Sequence, residues 1–203
     1  MDAFFISVWI LAAVINTGTS LTCTMCMSLN GANCVSTENE TCKSTVTTCE
    51  TVMLEFKIKE NVTTALVRSC TRFPFDCKVP YRSFSGETFS FMFQVKCCDS
   101  DNCNTDVLSF PPRNSTKNGV QCPVCPVAVD ATQCHSNGRN MECTGEETQC
   151  LFFAGKMLHP AGKFLQLAFR GCVHSDTCKE KIPPYPESRL EEGSTFQCSP
   201  GTT

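Results

Sequence analysis

The chain has 203 residues, of which 18 are cysteine, 17 lysine or arginine and 20 aspartate or glutamate, for a formal net charge of −3 at pH 7. Cysteine at that density marks a disulfide scaffold and needs an oxidising compartment, which sets cytosolic and nuclear readings aside. The even count lets every thiol pair, and the balanced, slightly acidic charge argues against a phosphate-binding surface and so against nucleic acid as a partner.

From the N-terminus, Phe4 to Ile15 form an almost unbroken apolar run, too short to cross a bilayer, followed by the small polar residues Gly18, Thr19 and Ser20. That pattern predicts a secretory signal peptide over residues 1–20, although Asp2 stands where a basic residue is usual. The C-terminal stretch from Glu191 to Thr203 has no hydrophobic tail of the kind a lipid anchor requires. The expectation is a soluble, extracellular protein without a membrane anchor.

The cysteines then fall into two series. The first is Cys23, Cys26, Cys34, Cys42, Cys49, Cys70, Cys77, Cys97, Cys98 and Cys103; the second is Cys122, Cys125, Cys134, Cys143, Cys150, Cys172, Cys178 and Cys198. Seven consecutive intervals agree within one residue, so the chain is an internal duplication, with a first domain over 21–106 and a second over 120–203. The second copy stops at its eighth cysteine. Between them, residues 107–119 read as a linker, extended through Pro111-Pro112 and flexible through its Asn, Ser and Gly residues. Sequons at Asn39, Asn61 and Asn114 predict a glycoprotein, each on a loop.

The long intervals carry strands. Val52, Leu54, Phe56 and Ile58 alternate with Met53, Glu55, Lys57 and Lys59, and Phe89, Phe91, Phe93 and Val95 alternate with Ser90, Met92, Gln94 and Lys96. Leu165, Leu167 and Phe169 repeat the pattern in the second copy. This period of two gives each strand one apolar and one solvated face, and helical periodicity is absent. The fold class is therefore all-β, small and disulfide-rich; a core of roughly 80 residues is marginal without its staples.

Two motifs carry a family resemblance: Leu21-x-Cys23-x-x-Cys26 at the start, and Cys97-Cys98-Asp99-Ser100-Asp101-Asn102-Cys103-Asn104 at the end of the first copy. They resemble the opening and closing signatures of the urokinase-receptor/lymphocyte-antigen-6 domain, which implies two tandem three-finger, snake-toxin-like domains in which the closing asparagine ties the last loop to the core. The resemblance also implies the pairs Cys23 with Cys49, Cys26 with Cys34, Cys42 with Cys70, Cys77 with Cys97 and Cys98 with Cys103. In the second copy it implies Cys122 with Cys150, Cys125 with Cys134, Cys143 with Cys172 and Cys178 with Cys198. The tandem arrangement, with Leu108-Ser109-Phe110-Pro111, the Asn118-Gly119 approach to Cys122-Pro123, the run from Cys143 to Cys150 and Gly171-Cys172-Val173, is similar to the gamma-type inhibitors of secreted phospholipase A2.

No catalytic order is legible: His135, His159 and His174 read as solvated loop residues, and the two C-x-x-C motifs lack the spacing of a zinc knuckle and the βαβ setting of a redox pair. A non-enzyme without cofactor or metal leaves binding as the activity. The candidate contact residues are Phe73, Phe75, Tyr81 and Phe84 on short or turning segments, Leu108, Phe110, Pro111 and Pro112 in the linker, and Met157 and Leu158 near a finger tip of the second copy. The resemblance implies a secreted phospholipase A2 as the partner, inhibited by occlusion. The alternative is a soluble signalling ligand or decoy for a receptor or other extracellular protein, with a homo- or hetero-oligomer also open.

Overall fold

The computed structural model describes residues 20–29, 34, 38–71, 77, 81–158, 164–179 and 194–203. The expected signal segment up to residue 19, Phe73, Phe75 and His159 lie outside the described residues, as do the side chains of Met157 and Leu158.

The first copy contributes β1 (Thr22–Ser28), β2 (Glu38–Thr41), β3 (Cys49–Ile58), β4 (Asn61–Cys70), β5 (Tyr81–Gly86) and β6 (Phe89–Cys98). The second contributes β7 (Lys117–Pro123), β8 (Cys125–Ala128), β9 (Asn140–Thr144), β10 (Glu147–Leu158), β11 (Phe164–His174) and β12 (Thr195–Pro200). Among the described residues the fold is all-β apart from a 3-10 turn at Ala131–Gln133 and one short helix, α1 (Ser175–Lys179). That helix escapes any periodicity because it is a single turn. Its local marks are Asp176 at the start and Lys179 at the end, 3.1 Å apart, a charge order that suits the helix dipole.

Long hairpins form where the alternating residues are. β3 and β4 pair antiparallel from Cys49↔Cys70 to Ile58↔Asn61, and Lys59 turns the chain with φ +55°. β6 lies on the other side of β3, from Cys49↔Cys98 to Ile58↔Phe89. Nine disulfides, Cys23–Cys49, Cys26–Cys34, Cys42–Cys70, Cys77–Cys97, Cys98–Cys103, Cys122–Cys150, Cys125–Cys134, Cys143–Cys172 and Cys178–Cys198, hold the bases of these hairpins. They are the pairs that the family resemblance implies.

The two copies share one sheet rather than standing apart on the linker. Its order is β12-β10-β11-β5-β6-β3-β4-β1-β2, with β8 also on β11, and β7 and β9 form a separate pair. The joint is β5 against β11, in the register Gly171↔Gly86, Cys172↔Ser85 and Val173↔Phe84. Glycine at 171 is a steric requirement of that joint: a Cβ there would overlap the Ser85 carbonyl oxygen.

One core runs under the joint. Val52, Leu54, Phe56, Phe84, Phe89, Phe91 and Phe93 of the first copy bury with Leu151, Phe153, Phe169 and Val173 of the second. Phe169 is the bridge, with ring centroids 4.5 Å from Phe84, 4.8 Å from Phe89 and 5.0 Å from Phe153. Aromatic clusters of this kind dominate burial because each ring removes about 150–250 Å² from water.

Four expectations are corrected here. The second face of β6 is solvated only towards its end, where Lys96 is exposed and Gln94 half-buried; Ser90 and Met92 are buried along with the phenylalanines, and the interdomain segment comes close enough for Arg113 Nε to donate to Met92 Sδ at 3.1 Å. The linker is shorter than 107–119, because β7 begins at Lys117 and pairs with Thr144. Asn39 lies within β2 and Asn61 opens β4, so neither sequon is on a loop, although both asparagines and Asn114 are exposed. Phe84 is fully buried and is no contact residue.

Candidate functional site

Alternation along β5 separates residues that look adjacent in sequence. Arg82 and Phe84 face the core, where Phe84 stacks on Phe91 with 9° between ring planes and the Arg82 guanidinium lies 4.9 Å from the centre of the Phe93 ring. Tyr81, Ser83 and Ser85 face the other way. That outward face lies at the joint between the two copies, and the interdomain segment at Pro111–Ser115 passes in front of it. The result is a cleft of about 420 Å³ with one wall from β5, one from the linker and one from the second copy.

Three sequence-predicted contact residues, Tyr81, Pro111 and Pro112, meet in this cleft. Tyr81 is half-buried, and both prolines are exposed. Leu108 and Phe110 are half-buried on the same segment but do not line the cleft, and Val107 beside them is 76% exposed.

The wall from the second copy contains what sequence reading missed. Glu147, the first residue of β10, is only 6% exposed. Its Oε1 accepts hydrogen bonds from Ser83 Oγ at 3.1 Å and Ser85 Oγ at 2.8 Å, so one carboxyl group of the second copy fastens two hydroxyls of the first. Its Oε2 is buried without a hydrogen-bond partner among the described residues. Burial pushes the Glu147 carboxyl above its ordinary value, against the opposing pull of the Ser85 and Ser83 hydrogen bonds and of Arg113 and His174. Burial likewise raises the Tyr81 phenol, opposed by its hydrogen bond with Ser83 and by Arg113. The Glu146-Glu147 dipeptide in sequence gives no sign of this asymmetry between a solvated and a buried carboxylate.

The backbone around Glu147 is set by Asn118, whose Nδ2 donates to the carbonyls of Gly145 and Glu147 at 3.0 Å each. Gly145 adopts φ +55°, and a Cβ on it would come within 3.2 Å of Asn114, so linker and wall are in close contact. His174 departs from the solvated-loop expectation. It ends β11 and lines the cleft; its Nδ1 accepts from the Asp176 amide at 3.3 Å, which leaves Nε2 to donate to Glu146 Oε2 at 3.2 Å. His135 is exposed, as expected of a loop residue.

The sulfurs of Cys23, Cys42 and Cys70, and those of Cys122, Cys143 and Cys172, gather within 4.8 Å of one another. Each is already bonded to another sulfur, so neither group offers a thiolate to a metal ion. The closing asparagine performs the role the resemblance implies. Asn104 is 2% exposed; its Nδ2 donates to the carbonyls of Thr24 and Glu50, and its Oδ1 accepts from the Thr24 amide.

The repeated set of cysteine-stapled hairpins has a counterpart among known proteins: the u-PAR/Ly-6 domain matches residues 19–106 and again 118–200. The chain belongs to the u-PAR/Ly-6 domain family. A phospholipase A2 inhibitor gamma subunit from Laticauda semifasciata is 30% identical over 159 residues, 75% of this chain and 81% of that protein. Phospholipase A2 inhibitor NAI from Notechis ater is 26% identical over 178 residues, covering 82% and 80% respectively. Protein RoBo-1 from Rattus norvegicus is 26% identical over 113 residues, 56% of this chain but only 42% of that protein. Among solved structures, mouse TEX101 matches 88% of this chain at 16% identity, with a TM-score of 0.33 that is too low to inform the fold. Two of these relatives are thus named as inhibitors of phospholipase A2.

Proposed function

We propose that this u-PAR/Ly-6 protein is secreted and glycosylated, and that it binds a secreted phospholipase A2 and inhibits it by occlusion, covering the rim with which that enzyme meets lipid. The observation that carries the reading is the similarity, along most of both chains, to a protein named as the gamma subunit of a phospholipase A2 inhibitor. The geometry supports it in a specific way. The shared core and the β5–β11 joint hold the cleft walls in place, so little conformational freedom is lost when a partner docks. Tyr81, Pro111 and Pro112 give that surface stiff apolar contact area, extended along the linker by Val107, Leu108 and Phe110. Phe84 serves the same surface indirectly, by packing beneath it.

The test is calorimetric titration of the purified mature protein with secreted phospholipases A2, together with their hydrolysis of mixed micelles. Binding that slows hydrolysis, and that weakens about tenfold or more in Tyr81→Ala or in the double variant Pro111→Ser/Pro112→Ser, is the expected result. Failure to bind or slow any of them overturns the proposal.

A further inference from the structure

The cleft holds a buried carboxyl group of which the fold satisfies one oxygen and not the other. Glu147 is buried, and among the described residues its Oε2 has no hydrogen-bond partner and no ion pair joins it to Arg113 or His174. His174 is instead engaged with Glu146 and Asp176, and Arg113 Nε is held on Met92 Sδ. The Ser83 and Ser85 hydroxyls satisfy only Oε1. A carboxylate kept from water under an open cleft is costly until a cation reaches it, and that cost becomes selectivity for whatever supplies the cation.

We infer that the cleft receives one basic side chain of the bound partner, a lysine ammonium or an arginine guanidinium, seated between the Tyr81 ring and the linker prolines against the Glu147 carboxyl. The aliphatic stem of either side chain suits Pro111 and Pro112, and the Tyr81 ring offers a π face to the charge. This deepens the phospholipase reading by naming the partner chemistry, and rests on that reading only for who the partner is. Copy one shows the contrast: three residues before its fifth cysteine, where Glu147 stands in copy two, it has Val46, packed on its disulfide cluster.

Glu147→Gln removes the charge while keeping an oxygen that accepts from Ser83 and Ser85. Ser85→Ala removes a joint hydrogen bond while keeping the charge. Against a secreted phospholipase A2 that binds the wild type, Glu147→Gln should weaken affinity about tenfold or more, and Ser85→Ala less than threefold. A loss below threefold in Glu147→Gln, or an equal loss in both variants, overturns the inference and leaves phospholipase inhibition standing. If no phospholipase binds, that reading falls and the decision passes to small probes. N-acetyl-lysine amide and N-acetyl-arginine amide, titrated separately, should shift the Ser83, Ser85 and Glu147 amide resonances of the wild type saturably and not those of Glu147→Gln. Whichever probe acts identifies the side chain, and no saturable shift with either overturns the inference.

Discussion

The two copies of this domain close in different ways. In the first, Cys98–Cys103 and Asn104 draw the end of the copy onto β1, and the Asn102 amide donates to the Thr22 carbonyl at 2.7 Å. The second copy has Ser199 where the first has Cys98, so that disulfide is not repeated. Its last residues substitute a backbone bridge: Gln121 donates to the Thr202 carbonyl at 2.7 Å, and Thr202 donates back to Gln121 at 3.1 Å. Thr22 and Gln121 each immediately precede the first cysteine of their copy, so the contact to the first strand is retained and the covalent closure is not. The second copy also has external support, because β11 is continued by β5 of the first. A domain that leans on its neighbour can do with less of its own closure.

The largest expected effect breaks that support. In Gly171→Ala the new Cβ would overlap the Ser85 carbonyl, so β5 and β11 must separate, and the Phe84–Phe169 contact above them with it. The expected cost is about 3–5 kcal/mol. Hydrogen exchange should show the amides of residues 171–173 and 84–86 losing protection, while the β3–β4 hairpin keeps its own. Retained protection at the joint would mean that the two copies are not one cooperative unit.

Asn104→Ala tests the self-sufficient copy. It strips partners from two carbonyls and one amide, of which the Glu50 contact is fully buried, and should cost about 2–4 kcal/mol in urea unfolding. The loss should fall on β1 and β3 and leave β10–β12 unchanged. Deleting residues 201–203 is the matching test of the second copy. It removes the two backbone hydrogen bonds between Gln121 and Thr202, and the longer one from the Thr202 hydroxyl to the Gln121 carbonyl, at an exposed edge and should cost only about 1 kcal/mol. If the truncation proved as damaging as Asn104→Ala, the support from β5 would have to be much weaker than the shared core indicates.

How far these differences could be read from sequence depends on the range of the contacts involved. Cysteine spacing is a local regularity and exposes the duplication, and the alternation in β3, β6 and β11 marks those strands without any knowledge of their neighbours. The same alternation assigns Ser90 and Met92 to solvent, because a period of two separates faces but says nothing of what covers each one. Phe84 and Tyr81 look alike on a short aromatic segment. Only the pairing of β5 with a strand almost 90 residues away sends one to the core and the other to the cleft. Glu147 is the extreme case. Its burial comes from β5, the linker and Asn118 together, and no short window of sequence contains all three.

The smallest effect separates the copies by titration. Glu147 has its carboxyl raised by burial, so the folded protein holds that proton more tightly than the unfolded chain does. The associated stabilisation is complete below the ordinary value near 4.5 and is lost as pH rises through the folded value. Glu147→Gln keeps a neutral group at every pH and retains Tyr81, Arg113, Glu146 and His174, the other ionisable groups at the cleft, so the difference between the two proteins isolates one carboxyl. The thermal midpoint of the wild type should therefore gain on that of Glu147→Gln as pH is lowered towards 4.5, and fall behind it at neutral pH. Val46 stands at the matching position of the first copy and cannot titrate. Amide exchange in β1 and β2 should accordingly show no difference between the proteins, while the change is concentrated at Ser83, Ser85 and residues 145–147. A pH response spread evenly over both copies would assign it to net charge and not to the joint.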